Sequence, residues 1–197
     1  MKRLAFISMF AATTCLPAQT NFEYLDINQV KAGIGNYGNL HANPAGGYPS
    51  YEVPKGGGAH ANAFTNLWFA GMLNNQLRVS AQTTPQPGGD FNFGPLTTSL
   101  PNLVTDSAKF LNVWKLNQSD VNDFLMHVAN GDVQNGTYTP VAGILSWPGN
   151  GDISKNQDPL LAPFKDVDND GIYSPQHGDY PLIKGDQADL LPLTGHS

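Results

Sequence analysis

Asp166, Asp168 and Asp170 stand at alternate positions in the stretch Asp166-Val167-Asp168-Asn169-Asp170-Gly171-Ile172-Tyr173-Ser174-Pro175-Gln176-His177-Gly178-Asp179. Carboxylates spaced this way converge when the chain curls, and converged carboxylates repel one another unless a cation neutralises them. Gly171 permits the sharp turn that such a curl needs after the third carboxylate. Oxygen donors at this density suit a hard divalent ion. Calcium suits them better than magnesium, because it accepts about six to eight oxygens in flexible geometry where magnesium demands a tight octahedron.

The expected ligands are the side chains of Asp166, Asp168 and Asp170, the carbonyl oxygen of Ile172, and Asp179 closing the shell from the far side. Asp186 is a weaker outer candidate. An EF-hand would carry a bidentate Glu at the twelfth position of the loop, where this chain has His177, and Pro163 disfavours a regular helix running into it. The loop is therefore not an EF-hand. The competing reading is an Asp/Asn/Gly turn held together by its own side chains.

Other chemistries find less support. There is no Gly-x-Ser-x-Gly and no His-Glu-x-x-His, and the only cysteine is Cys15. His41, His60, His127, His177 and His196 are scattered and read as surface or satisfied residues. Lys55-Gly56-Gly57-Gly58 lacks the spacing of a phosphate loop and reads as a turn. With no catalytic constellation, the chain is expected not to be an enzyme. A polysaccharide-degrading or polysaccharide-binding domain is the alternative, the first needing two facing carboxylates and the second a stacking surface of Trp and Tyr. Trp68, Trp114 and Trp147 are read as core instead.

The elements that must position the acidic loop are mostly strands. Among 197 residues there are 21 Gly, 15 Pro and 19 Asn, an excess of turn formers that favours short strands over long helices. Ten Phe, seven Tyr and three Trp supply enough apolar surface to bury a core, so the chain folds. The expected fold is mainly β, sandwich-like or irregular, with one short helix and a calcium loop. Residues 20–160 form the β-rich part, and 161–197 the acidic loop and a truncated C-terminus.

Within the β-rich part the clearest hairpin runs from Asn66 to Thr83, with its turn at Asn74-Asn75-Gln76. Leu77, Val79 and Ala81 share its expected buried face. The helix is expected near 119–130, capped by Ser119 and closed by Gly131, with an apolar stripe of Val121, Phe124, Leu125 and Val128. His127 lies outside that stripe and is expected to be solvated. Tyr138, Val141, Ile144 and Leu145 suggest one or two further short strands.

Residues 1–19 combine a Lys2-Arg3 start, an uncharged apolar run from Leu4 to Ala12 and a Leu16-Pro17-Ala18-Gln19 end, the pattern of a secretory signal peptide. Cys15 falls inside it, leaving the mature chain without a disulfide or thiolate ligand. Removing Lys2 and Arg3 from the chain leaves eight basic against sixteen acidic residues, a net charge of −8. Cations are natural partners for such a chain and nucleic acid is not, because no basic cluster remains to replace condensed counterions. No later stretch reaches the roughly 18 apolar residues of a membrane span.

Several segments resemble large exported proteins of bacteria that carry a type IX secretion system. They are Leu25-Asp26-Ile27-Asn28-Gln29-Val30, Tyr51-Glu52-Val53-Pro54-Lys55-Gly56, Leu67-Trp68-Phe69-Ala70-Gly71, Asp90-Phe91-Asn92-Phe93-Gly94-Pro95-Leu96, Trp114-Lys115-Leu116-Asn117, and the run from Leu161 to Asp166 continuing through Gly185-Asp186-Gln187. The resemblance implies a cell-surface or released product. It carries over no catalytic residue. Family members continue past the Gly-Asp-Gln stretch into a C-terminal sorting domain, so the resemblance implies a fragment or frameshifted chain, periplasmic if that domain is truly absent. The partners expected are calcium and a surface glycan or another surface protein. Mass spectrometry of protein recovered from a secreting host should show a chain that begins close after Ala18 or Gln19, and an intact Met1 would refute export by this segment.

Overall fold

Short apolar runs interrupted every few residues by Gly, Asn and Pro cannot build long strands, and the strands observed are two to six residues long. In the computed structural model of the chain, the described residues are 22–36, 38–43, 49–81, 91–95 and 109–195. Residues 1–19, expected as a signal peptide, and His196 lie outside them. Among the described residues the fold is β-rich with one substantial helix. Their pairing is of the irregular kind: one six-stranded sheet and four separate two-stranded ladders, all antiparallel.

The six-stranded sheet is organised around β2 (Lys31–Gly35). Along one edge it pairs with β1 (Phe22–Leu25), from Phe22 opposite Gly35 to Leu25 opposite Ala32. Along the other it pairs with β3 (Asn39–Leu40) at Ile34 and with β4 (Tyr51–Glu52) at Lys31 and Ala32. β5 (His60–Asn62) extends the sheet from β4, and β6 (Thr65–Asn66) from β3. Gly33 sits where a methyl group would collide with the Phe22 ring and the Ser50 hydroxyl, so the close approach of these segments requires glycine there. Lys55-Gly56-Gly57-Gly58 is indeed a turn, with the Gly58 N–H donating to Glu52 Oε1 at 2.7 Å.

The expected hairpin forms, but with a tighter turn: Gln76, expected in the turn, begins the second strand and pairs with Leu73. β7 (Trp68–Leu73) pairs with β8 (Gln76–Ala81) across a two-residue turn in which Asn74 and Asn75 have φ of 51° and 59°, the twist that favours tight hairpins. Trp68, Ala70 and Met72 lie opposite Ala81, Val79 and Leu77, so one face is wholly apolar. Its burial differs from expectation. Trp68 is 69% exposed, and Leu77 and Val79 are exposed, while Ala81 alone is buried. Among the described residues no third strand joins this ladder. Alternation reveals which side chains share a face, not whether anything covers it.

The apolar core lies in the second half of the chain. Phe110, Trp114, Leu116, Phe124, Val133, Ile144, Trp147 and Ala162 form one buried cluster. Its floor is β10 (Trp114–Asn117), paired with β13 (Gln187–Leu190). β9 (Phe91–Phe93) pairs with β14 (Leu193–Gly195), and β11 (Phe164–Lys165) with β12 (Tyr180–Pro181). Segment 161–195 thus supplies strands to partners before it. Trp114 and Trp147 are core residues as expected, and their indole N–H groups donate to the carbonyls of Ser146 at 2.9 Å and Pro163 at 3.2 Å.

Helix α1 (Gln118–Ala129) packs on β10 and β12 with Val121 and Phe124 buried and Leu125 and Val128 half-buried. Its cap is Asn117, not Ser119: Asp120 Oδ2 accepts the Asn117 backbone N–H at 3.0 Å, the return half of a capping box. Gly131, at φ 80°, closes the helix. His127 is not merely solvated. It pairs with Asp132 at 2.7 Å and stacks on the Tyr138 ring at 3.9 Å, contacts that lie beyond the helix and outside its periodicity. The segment around Ile144 forms no strand but a short helix, α2 (Ala142–Leu145), because Gly143 lets it lie directly on Lys115 and Leu116 of β10. Truncating the fully buried Phe124 to Ala should cost about 3–5 kcal/mol in urea-monitored unfolding, the loss expected for emptying a packed core site.

Candidate metal centre

The β11–β12 ladder places Lys165 opposite Tyr180, so Asp166 and Asp179, the next residues inward, meet at the mouth of the loop between them. Asp179 is wholly buried. Its Oδ1 accepts the Val167 N–H at 2.8 Å and its Oδ2 the Ser174 N–H at 2.9 Å, which ties the two sides of the loop together. Asn150 holds the far turn, donating to the Gly171 carbonyl at 2.9 Å and accepting the Tyr173 N–H at 2.6 Å. The Tyr173 hydroxyl in turn donates to the Ile144 carbonyl at 2.6 Å. Burial, and then the charge of Asp179, push the Tyr173 phenol above its ordinary range, so it remains a hydrogen-bond donor. At the loop's end Gly178, with φ 100°, fits beneath Val128 of α1, where an added Cβ would lie 3.1 Å from the Val128 methyl.

Within this frame the aspartates fold inward. Asp166 accepts the N–H of Asn169 at 2.7 Å on Oδ1 and that of Gly171 at 2.8 Å on Oδ2. Asp168 Oδ1 accepts the Asp170 N–H at 3.3 Å, and Asp170 Oδ1 accepts the Ile172 N–H at 2.7 Å. Asn169 and Gly171 adopt φ of 61° and 79°, so the curl uses the left-handed conformation that Asn and Gly tolerate best. The Gly171 N–H, followed by those of Asn169 and Asp170, holds the Asp166 carboxyl below its ordinary pKa.

Oxygens of Asp166, Asp168 and Asp179 lie within 4.8 Å of one another. Asp170 joins a second group, with Asp168 and His177, inside the same limit. Each carboxylate oxygen retains a lone pair beyond the N–H it accepts, so the first group presents converging hard donors to a cation. Ile172 is found with its N–H on Asp170 and its side chain exposed. Asp186 belongs to neither group, and its carbonyl accepts the Gln118 N–H at 2.8 Å.

Two residues at the site escape sequence reasoning. His177 Nδ1 lies 3.0 Å from Asp168 Oδ2, brought there by the short 3-10 turn Pro175–His177 that Gly178 closes. The Pro before it and the Gly after it are the signal that could have placed it. Asn150 comes from a separate loop, and nothing local marks it. No protein-family model, no curated protein and no solved structure matches the chain.

The depressed pKa of Asp166 has a definite pH signature. Its ionised form is favoured in the folded loop, so the stability it contributes is complete above about pH 4 and is lost as pH falls through the lowered value. Urea unfolding between pH 5 and pH 2 without divalent ions should show a shallower acid limb for Asp166→Asn than for the unmodified chain. Superimposable limbs would mean that the N–H contacts of Asp166 do not stabilise the fold.

Proposed function

We propose that this chain is a non-enzymatic, calcium-binding, β-rich module of an exported or cell-surface bacterial protein. The observation that carries the reading is the convergence of Asp166, Asp168 and Asp179 in a loop whose backbone is already curled. A loop stabilised only by Asx turns needs its aspartates near backbone N–H groups; it does not need three carboxylates near one another. Calcium is the fitting ion because the donors are all oxygen, and a solvent-exposed rim leaves room for water to complete the shell. The Lys2-Arg3 signal pattern, the absence of cysteine after residue 15 and the resemblance to exported proteins support the location. No helix among the described residues is long and apolar enough to cross a membrane.

In this role the ion acts as a staple. Closing β11 onto β12 brings like charges together at the loop's mouth, and a divalent cation offsets that repulsion where the chain has no disulfide to hold it. A second reading, a polysaccharide-binding module, draws on the exposure of Trp68, whose indole would offer a stacking surface for a sugar ring.

Thermal melting distinguishes these readings. At a calcium concentration about a hundredfold above Kd, native-state binding adds about 2.7 kcal/mol, a rise of roughly 5–10 °C in a chain of this size. Asp168→Ala should lower Tm clearly more in calcium than in chelator, where it loses only its exposed contacts with the Asp170 N–H and His177, whereas Asp179→Ala should lower it with or without calcium by releasing the Val167 and Ser174 N–H groups. Equal melting in calcium and chelator would overturn the calcium reading, and retention on a polysaccharide matrix that Trp68→Ala abolishes would favour the second.

A further inference from the structure

The β10–β13 ladder has two unlike faces. Trp114 and Leu116 lie opposite Leu190 and Ala188 on the face that enters the core. Lys115 and Asn117 lie opposite Asp189 and Gln187 on the other, and that face receives β1 and the turn following it. The joint is polar and specific. Gln187 Oε1 accepts the N–H groups of Asp26 at 2.7 Å and Ile27 at 3.2 Å, while its Nε2 donates to Asn117 Oδ1 at 2.8 Å and to Asp26 Oδ1 at 3.3 Å. Lys115 Nζ reaches Asp26 Oδ1 at 2.8 Å.

Asp189 is the exception in this network. It sits directly across the ladder from Lys115, yet that ammonium is hydrogen-bonded to Asp26. Both of its carboxylate oxygens are buried and neither has a hydrogen-bond partner. A buried carboxylate left in this state is costly when ionised and far less so when protonated. The charged groups around it are Glu23 from β1, Asp26 from the turn after β1, and Lys115 from β10; Lys55 reaches the joint through the Asp26 carbonyl. Two acids and one diverted ammonium do not compensate a further negative charge.

We propose that Asp189 makes the joint between β1 and the β10–β13 ladder proton-dependent: the joint is closed with the Asp189 carboxyl protonated and loosens when it ionises. Burial first, then Glu23 and Asp26 against the opposing Lys115, push this carboxyl up to about 6 from an ordinary 3.8. Because the folded-state pKa is the higher one, the stabilisation is complete below about pH 4 and is lost as pH rises through about 6. The joint connects the six-stranded sheet to the core, so the docking of one on the other becomes sensitive to the acidity of the surroundings.

The amides of Asp26 and Ile27, which donate to Gln187, report the joint directly by hydrogen exchange in the full chain. Corrected for intrinsic exchange, their opening should increase severalfold between pH 5 and pH 7.5, up to the roughly tenfold that an undiminished shift of about two units leaves for this window, the rest of its roughly hundredfold effect falling between about pH 4 and pH 5. Core amides such as that of Leu125 should change less. In Asp189→Asn the opening should be flat across the same range. A carbon-13 titration of the unmodified chain gives an independent readout, with a midpoint near 6 expected for Asp189. The proposal is overturned by a midpoint near 3.8, by an equal rise at Leu125, or by a pH dependence that survives Asp189→Asn.

Discussion

A carboxylate with no exposed surface governs the acidic loop. Asp179 is out of reach of bulk water, so its two carboxyl oxygens are satisfied by backbone N–H groups drawn from opposite sides of the loop. That requirement brings Val167 and Ser174 to a common point and closes the segment between β11 and β12 before any ion is considered. The remaining aspartates are then confined to a short arc, where their own N–H contacts curl them inward. Under the proposed reading, calcium adds to a loop that is already shaped, so its binding needs little further ordering of the chain.

The loop is also anchored laterally. Asn150 and Tyr173 connect it to the segment that carries Ile144, and Gly178 slots under α1. Phe164, Tyr173 and Tyr180, the aromatic residues that flank the acidic run, pack against the core cluster. Charge in the loop and burial in the core are therefore coupled through a few aromatic side chains, and a change in the acidic loop would be felt at Ile144 and Trp147.

Local chemistry was legible in the sequence and tertiary cover was not. The hairpin turn followed from paired Asn residues that tolerate positive φ, the helix from an i, i+3, i+4, i+7 stripe, and the curl of the acidic loop from Gly171. Each depends on residues within a few positions of one another. The exposure of Trp68, the stacking of His127 on Tyr138 and the clamp from Asn150 depend on what arrives from elsewhere in the chain, which periodicity does not encode. The helical form of Ala142–Leu145 is a further case: Val and Ile favour strands, yet Gly143 lets the segment press onto Leu116, and packing outweighs propensity.

The two buried aspartates make an instructive pair. Asp179 and Asp189 lie ten residues apart on strands or loops that border the same core, and both present carboxylate oxygens away from solvent. Asp179 has backbone donors on each oxygen, whereas Asp189 has none, its cross-strand lysine being occupied by Asp26. Burial alone raises a carboxyl pKa; donors directed at the charged form reverse that effect. One aspartate therefore organises a loop through the backbone donors it gathers, while the other sits where ionisation works against packing. The contrast lies in the hydrogen-bond donors each one finds.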